Sequence, residues 1–415
     1  MRFCLLALAV FLPLTRLHSQ ASERARDLGI PLDGIPGNHN AITDVPGVKV
    51  GHVTLVSGAG RLVTGKGPVR TGVTAIFPRS DSTLLPVFAG WFSLNGNGEM
   101  TGTTWIEEYG ELLYPVVITN TNSVGIARDA LIDWGQAHVS EDAWNCCLPV
   151  VAETWDGDLN DIFGFHVTRE HVFTALANAT SGPVTEGNVG GGTGMECLGF
   201  KGGIGTSSRR VKIGSDSFTV GVLVQCNFGA RNQLRIAGIP MGREITAPPD
   251  CYDTIGPLDS TRAAFRCPAA RGSIHDRSDS TPAAGGPHPE DQGSIIVIVA
   301  TDAPLLPHQL KRLAKRASLG IGRMGGVAGS SSGDIFLAFS TRSAEPSDST
   351  ILLQPMLNDQ RINGLYEATV QATEESIINA MLAARTMTGA NDLKVTALPH
   401  DQVRALLSKY HRSVR

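Results

Sequence analysis

Residues 292–302 read QGSIIVIVATD, and this stretch decides the fold of the chain. Ser294 is followed by an unbroken aliphatic run that is rich in β-branched residues and short for a helix. Such a run predicts a β-strand that is buried on both faces. Ser294 therefore lies at the start of a core strand, where the backbone fixes the direction of its side chain.

The position of Ser294 suggests a specific chemistry. A serine hydroxyl is a weak nucleophile at its ordinary pKa and needs an adjacent base. If the Gly293–Ser294 bond is cleaved, Ser294 gains a free α-amine, which titrates near pH ~8 and can act as that base. The hypothesis is a self-cleaving hydrolase with an N-terminal nucleophile.

A simpler interpretation is that Gly-Ser only begins a strand. The same tripeptide occurs as Gly-Ser-Ile at 272–274, but His275-Asp276-Arg277 follows it and no strand can form there. From the stretch alone the simpler interpretation is favoured, so the preference for Ser294 depends on the rest of the chain.

Composition restricts the class of protein. The chain has 415 residues, enough for one large domain or two, with 42% hydrophobic and 18% charged residues, which is typical of a well-buried globular protein. A net charge of -4 without a basic block argues against a nucleic-acid partner. No CxxC pair occurs, and no metal or organic cofactor is indicated.

The first 21 residues resemble a secretory signal peptide. Arg2 precedes an apolar run over 3–14 that is too short to span a bilayer, and Ser19-Gln20-Ala21 suits cleavage. We therefore expect an exported protein, periplasmic or secreted, without a stable membrane span; an uncleaved anchor is the alternative. Six cysteines remain after removal of Cys4, an even number that permits disulfides. They are Cys146, Cys147, Cys197, Cys226, Cys251 and Cys267.

Strands and helices alternate along the chain, which favours a layered α/β architecture. Besides 294–301, strand patterns occur within 44–53, 72–78, 87–92, 114–119, 148–157, 218–227 and 335–340. Helical patterns occur at 103–111, 123–134, 166–177, after Pro307, and at 365–385 with one apolar stripe. A long Gly-rich loop is predicted over 187–205. Residues 247–292 lack apolar periodicity, and we expect an exposed, mobile segment that tolerates a cut at its end.

Polar side chains follow several of the predicted strands, where a strand fixes them while their tips stay accessible. Taken alone, each one is explained better as a turn cap. They are Glu153 with Trp155, Asn227, Ser294, and Ser332 with Asp334.

Several motifs, taken in order, resemble a family of self-processing aminopeptidases, which includes L-aminopeptidase/D-Ala-esterase/amidase and the β-peptidyl aminopeptidases. The resemblance extends from about Arg24 to Gly389. The motifs are 34–37 (GIPG), 40–48 (NAITDVPGV), 97–102 (NGEMTG), 119–125 (TNTNSVG), 153–157 (ETWDG), 187–195 (GNVGGGTGM), 224–229 (VQCNFG) and Gly293-Ser294.

The resemblance implies a four-layer αββα sandwich, similar to other N-terminal-nucleophile hydrolases but connected differently. It implies self-cleavage into an α part, 22–293, and a β part, 294–415, which together form one catalytic domain and assemble as a homotetramer of αβ heterodimers. The implied activity is that of a serine aminopeptidase or amidase. It releases L-amino acids, D-Ala or β-amino acids from the N-termini of small peptides, amides or esters.

The resemblance also assigns roles residue by residue. Ser294 matches the nucleophile, and Ser332 with Asp334 matches a Ser-x-acid pair beside the nucleophile's amine, with Asp where some members have Glu. Asn227 matches an oxyanion donor, a role that can contribute ~3–4 kcal/mol. Glu153 matches the carboxylate that holds the substrate's ammonium group.

Two features depart from the family pattern. Trp155 stands where some members have Tyr, and an indole offers a bulkier donor geometry, which leaves substrate preference open. Residues 247–292 are longer than the family usually needs. Cys251 and Cys267 within them can pair in an oxidising compartment, closing a loop worth ~3 kcal/mol.

Two other functions are the alternatives. One is an inactive secreted binding protein with the same fold, and the other is an acetyltransferase of the related group that uses an N-terminal Thr. The Gly-rich loop 187–205 lacks the spacing of a phosphate-binding loop. The Gly/Ser loop 329–333 resembles that of amidase-signature enzymes, but no Lys-Ser-Ser arrangement accompanies it.

Overall fold

A computed structural model describes residues 23–79, 85–138, 148–248, 250–252, 293–342 and 349–413 of the chain. The predicted signal peptide at 1–21 lies outside these residues. So do Cys146, Cys147, Cys267 and most of the segment 247–292.

The strand predicted from residues 294–301 lies inside a six-stranded sheet. It is β12, Ser294–Thr301, and it pairs with one antiparallel and one parallel neighbour. The sheet order is β4-β3-β13-β12-β10-β9. The other members are β3 (Val87–Ser93), β4 (Glu111–Leu112), β9 (Gly203–Ile213), β10 (Asp216–Asn227) and β13 (Ile335–Ser340).

A four-stranded sheet faces the first one. Its order is β1-β2-β5-β6, and only the β5–β6 pair is parallel. The strands are β1 (Lys49–Ser57), β2 (Val69–Phe77), β5 (Val116–Asn120) and β6 (Val151–Thr154). Short strands β7 (Glu196–Cys197) and β8 (Phe200–Lys201) form a hairpin, while β11 (Cys251–Tyr252), β14 (Met387–Thr388) and β15 (Leu393–Val395) form a small third sheet.

The described helices are α1 (Thr103–Tyr109), α2 (Val124–His138), α3 (Arg169–Ala177), α4 (Met241–Glu244), α5 (Pro307–Arg323), α6 (Asn363–Ala383) and α7 (His400–Lys409). Helices α5 and α6 cover the outer face of the six-stranded sheet, and α2 and α3 cover that of the four-stranded sheet. Pro307 occupies the first turn of α5, where its missing N–H costs nothing.

The buried side chains form three layers, as a four-layer sandwich requires. In β12 the side chains of Ile295, Val297 and Val299 pack toward the helices α5 and α6. The alternate side chains Ile296 and Ile298 pack into the core between the sheets. A third cluster lies between the four-stranded sheet and the helices α2 and α3. Both faces of β12 are buried, which confirms the prediction of a core strand that is covered on two sides. The three clusters separate helices, sheet, sheet and helices in that order, which confirms the predicted αββα fold.

Two local predictions were wrong. The stretch 187–205, predicted as a loop, contains the β7–β8 hairpin and the first residues of β9. The glycines were interpreted as loop residues, but here they allow close packing of a strand. A Cβ on Gly205 would lie 2.0 Å from the Ser376 carbonyl oxygen, so the absence of a side chain lets α6 lie directly on β9. Helix α6 is buried nearly all round rather than along one stripe, since it also packs against α5.

Among the described residues no helix is long and apolar enough to cross a membrane.

Candidate active site

Ser294 is the first residue of β12 and is only 5% exposed. Its antiparallel partner is Asn227, the last residue of β10. Gly293 has a φ of +124°, and a Cβ there would lie 2.0 Å from the Asn227 carbonyl oxygen, so only glycine fits before Ser294. The local backbone thus brings the Gly293–Ser294 bond against the end of β10.

The turn 332–334 precedes β13 and lies beside this bond. The Gly333 N–H donates to Ser294 Oγ at 3.1 Å and to the Gly293 carbonyl oxygen at 3.2 Å. The Ser332 hydroxyl donates to Asp334 Oδ1 at 2.7 Å, and the Ile295 N–H reaches the same oxygen at 3.2 Å. Ser332 and Asp334 are both fully buried, so these hydrogen bonds are shielded from water.

The Asn227 side chain is held at both ends. Its Oδ1 accepts from the Glu196 N–H at 2.7 Å, and its Nδ2 donates to the Trp155 carbonyl oxygen at 2.8 Å. Since an amide nitrogen carries two hydrogens, one donor remains for another acceptor. These two bonds fix the orientation of the Asn227 side chain on the residue that pairs with Ser294.

The Glu153 carboxylate is 2% exposed and accepts two hydrogen bonds. The Thr121 hydroxyl donates to Oε2, and the Glu99 N–H donates to Oε1 at 2.8 Å. Burial raises the pKa of Glu153, while these two donors act in the opposite direction. A buried carboxylate with few partners is suited to a cationic ligand.

Trp155 differs from the other predicted site residues because its side chain is 40% exposed. Its indole makes an edge contact with Phe163, with the ring centroids 6.4 Å apart. Phe163 is itself 60% exposed. These two rings give the rim of the site an apolar surface.

All six predicted site residues therefore gather around the ends of β6, β10 and β12, although their catalytic roles stay predictions. The sequence interpretation did not single out three further groups: the Gly333 N–H, the Thr121 hydroxyl and the Asn95 side chain. Thr121 lies in the quoted motif 119–125 and Gly333 lies between two predicted residues, so adjacency alone could have indicated them.

Two disulfides involve described cysteines. Cys197 and Cys226 are joined, which links β7 to β10 directly beside Glu196 and Asn227. Cys251 is disulfide-bonded as well, but Cys267, the partner predicted for it, lies outside the described residues, and that pairing stays a prediction. In the part of the chain that the structure describes, no group of three His, Cys, Asp or Glu side chains is arranged to hold a metal.

Comparison with known proteins gives consistent results. The model of peptidase family S58 matches residues 40–395. The chain is 52% identical to the β-peptidyl aminopeptidase BapA of Sphingosinicella microcystinivorans over 397 residues, covering 95% of this chain and 94% of that protein. It is 47% identical to BapA of Sphingosinicella xenopeptidilytica over 406 residues, covering 96% and 94% of the two chains.

A solved structure matches the fold as well. It is the L-aminopeptidase D-Ala-esterase/amidase of Ochrobactrum anthropi, described as a prototype for the serine aminopeptidases and a new variant of the Ntn hydrolase fold. The TM-score is 0.80 at 45% sequence identity, over 94% of this chain and 99% of that one.

Proposed function

The chain belongs to peptidase family S58 and is an aminopeptidase with an N-terminal-nucleophile fold, and we propose that its nucleophile is Ser294, released when the protein cleaves its own Gly293–Ser294 bond. The observation that carries this proposal is the position of one backbone donor. The Gly333 N–H contacts both the Ser294 hydroxyl and the Gly293 carbonyl oxygen. In self-cleavage, Ser294 Oγ is the attacking atom and the Gly293 carbonyl oxygen is the atom that becomes negatively charged.

Self-cleavage follows from this geometry. Ser294 Oγ attacks the carbonyl carbon of Gly293, and negative charge develops on the oxygen that Gly333 already contacts. The bond to the Ser294 nitrogen then breaks, and the hydroxyl proton ends on that nitrogen. Water hydrolyses the resulting ester and leaves Ser294 with a free amine and a free hydroxyl, while Gly293 becomes the C-terminus of 22–293.

Substrate hydrolysis uses the same atoms a second time. The new amine accepts the proton of the Ser294 hydroxyl, which attacks the scissile carbonyl. We propose that the second N–H of Asn227, the strand partner of Ser294, donates to the oxyanion, and that Ser332, hydrogen-bonded to Asp334, interacts with the new amine; the register and this hydrogen bond support both roles. The tetrahedral intermediate collapses, the bond to the leaving amine breaks, and the proton on the Ser294 amine passes to that leaving group, which leaves an acyl-enzyme ester. Water, deprotonated by the same amine, hydrolyses this ester and restores the free Ser294 hydroxyl.

We propose that Glu153 binds the substrate's N-terminal ammonium group, which limits cleavage to the first residue. Because the two Sphingosinicella relatives are β-peptidyl aminopeptidases, we infer that peptides, amides or esters with a β-amino N-terminus are preferred. The alternatives, an inactive binding protein or an acetyltransferase, are not favoured by the comparisons.

We also propose export and a tetrameric assembly. Residues 1–21 support removal of a signal peptide, and the disulfide between Cys197 and Cys226 suits an oxidising compartment. N-terminal sequencing after cell fractionation tests export, and light scattering on the processed enzyme tests a tetramer of αβ heterodimers. A cytoplasmic protein or a processed monomer would contradict these proposals.

One experiment tests the nucleophile directly. Purified wild-type protein is expected to give two fragments on a denaturing gel, the smaller beginning Ser-Ile-Ile-Val and ending at Arg415. Ser294→Ala is expected to stay as one chain and to lack hydrolysis of β-alanyl-p-nitroanilide. Ser273→Ala is a matched control, because it changes the other Gly-Ser-Ile tripeptide and is expected to process normally. An uncut wild-type chain with full activity would overturn the proposal.

A further inference from the structure

The loop that follows β3 lies against the turn 332–334 and is tied to it by several hydrogen bonds. Asn95 Oδ1 accepts from the Asp334 N–H at 2.6 Å, and Asn95 Nδ2 donates to the Gly329 carbonyl oxygen at 3.0 Å. The neighbouring Leu94 N–H donates to the Asp334 carbonyl oxygen at 2.9 Å. One amide side chain therefore closes the chain from Gly329 to Asp334 into a fixed loop.

We propose that Asn95 is a positioning residue for catalysis: it holds the backbone of Asp334, and through it the Ser332 hydroxyl and the Gly333 N–H, in place beside Ser294. This inference rests on the proposed function, since the turn matters for activity only if Ser294 is the nucleophile. The hydrogen bonds of the Asn95 side chain go to Asp334 and Gly329 and to neither Gly293 nor Ser294.

The turn needs this support because the sheet ends just before it. The ladder between β12 and β13 ends at the pair Ile296 and Ile335. Beyond that pair, the backbone of the turn is connected to the other strand through the bridge between Gly293 and Ser332 and through the bond from the Gly333 N–H to the Gly293 carbonyl oxygen. Two further bonds involve side chains, from the Gly333 N–H to Ser294 Oγ and from the Ile295 N–H to Asp334 Oδ1. Self-cleavage turns Gly293 into a free chain end, so the two backbone connections are no longer held by a continuous strand.

Asn95 belongs to the α part, whereas the turn belongs to the β part, and 239 residues separate Asn95 from Asp334. Its hydrogen bonds do not involve the bond that is cut. Asn95 therefore supports the turn in the processed enzyme, and its contribution to substrate hydrolysis is larger than its contribution to self-cleavage.

Asn97 offers a matched control in the same loop. Its side chain also donates to a backbone carbonyl of the facing loop, that of Ser331, at 2.6 Å, but it does so at the surface and does not contact Asp334. Its own N–H, which donates to the Ser332 carbonyl oxygen, is unchanged by a side-chain substitution. Asn97→Ala thus removes a similar bond without releasing the Asp334 backbone.

The test compares Asn95→Ala, Asn95→Asp and Asn97→Ala as full-length, self-processed proteins with β-alanyl-p-nitroanilide. A displacement of catalytic groups by about 1 Å can cost about 100-fold in rate. For Asn95→Ala we expect complete self-cleavage, a kcat lowered about 10- to 100-fold and a KM within about twofold of wild type. Asn95→Asp keeps the acceptor for the Asp334 N–H, and its kcat is expected to exceed that of Asn95→Ala by at least about fivefold.

Each outcome bears on the inference separately from the proposed function. Wild-type kcat in Asn95→Ala, or a loss in Asn97→Ala equal to that in Asn95→Ala, would overturn the positioning role while leaving Ser294 as the nucleophile. If Asn95→Ala does not fold, the comparison of Asn95→Asp with Asn97→Ala decides. Asn95→Asp loses the donor to the Gly329 carbonyl oxygen and is expected to keep about a tenth to a half of wild-type kcat with an unchanged KM, while Asn97→Ala keeps wild-type kcat. Equal kcat values in these two variants would overturn the positioning role. Failure of the wild-type chain to self-cleave would instead refute the proposed function.

Discussion

Replacing Glu153 with Gln removes one negative charge from the site while keeping the length and nearly the volume of the side chain. The structure shows why the variant should fold. One oxygen of Gln can still accept from the Glu99 N–H, and the Thr121 hydroxyl can turn to accept from the new amide nitrogen. The substitution therefore tests charge rather than packing.

The size of the effect follows from the burial of Glu153, which is 2% exposed. A hydrogen bond to a charged group contributes ~1.5–3 kcal/mol, which corresponds to a loss of about 10- to 150-fold in kcat/KM. The loss is expected mainly in KM, because the ammonium group is bound in the ground state and in the transition state alike. Self-cleavage involves no ammonium substrate and is expected to proceed normally.

The dependence of KM on pH provides a second measurement. Burial raises the pKa of Glu153, and only the ionised carboxylate pairs with an ammonium group. In the wild-type enzyme, KM therefore rises as the pH falls through this pKa, and in Glu153→Gln this acid limb is expected to disappear. Steady-state kinetics with β-alanyl-p-nitroanilide between pH 5 and 9 measures both effects.

Two controls make the result decisive. Glu99→Gln removes a nearby exposed carboxylate but keeps the N–H that donates to Glu153, and less than about a threefold change is expected. Capping the substrate's amine with an acetyl group should weaken wild-type cleavage far more than cleavage by Glu153→Gln. If Glu153→Gln retains wild-type KM and still rejects the acetylated substrate, Glu153 does not recognise the ammonium group.

Three further predictions address the cleaved bond and the stability of the fold. Gly293→Ala is expected to slow self-cleavage more than tenfold in a gel time course, since the added Cβ would lie 2.0 Å from the Asn227 carbonyl oxygen and a φ of +124° is strained for alanine; a normal rate would contradict this. The double variant Cys197→Ala/Cys226→Ala is expected to lose ~3–4 kcal/mol of unfolding free energy in urea titrations, because the disulfide closes a loop with a sequence separation of 29; an unchanged midpoint would argue against that contribution. Burial raises the pKa of Asp156 from 3.8 to about 7, so this group stabilises the fold fully below pH 3.8 and its contribution is lost as the pH rises through 7. In Asp156→Asn the free energy of unfolding is expected to fall by about 3 kcal/mol less between pH 4 and 7, and equal slopes for the two proteins would exclude the shift.

The sequence alone was informative where a physical requirement acts on neighbouring residues. The aliphatic run after Ser294 is short, rich in β-branched residues and without a polar face, which predicts a strand covered on both sides, as β12 is. The ordered motifs likewise indicated the αββα fold and the six candidate residues. Strand β9 was not predicted from the sequence. Gly203 and Gly205 allow close packing against other segments, and this kind of contact produces no periodic pattern of apolar residues in the sequence.

Only the tertiary structure decided which groups surround Ser294. Asn227 reaches it through the register of β10 with β12, and the Gly333 N–H through a turn 39 residues further along the chain. Asn95 lies outside the motif 97–102 and beside no predicted site residue, yet its amide holds the backbone of Asp334. Local sequence determines which segments are buried, because burial depends on the polarity of each residue. The distances between atoms of remote segments depend on how the sheets and helices pack together, and no single stretch of the chain contains that information.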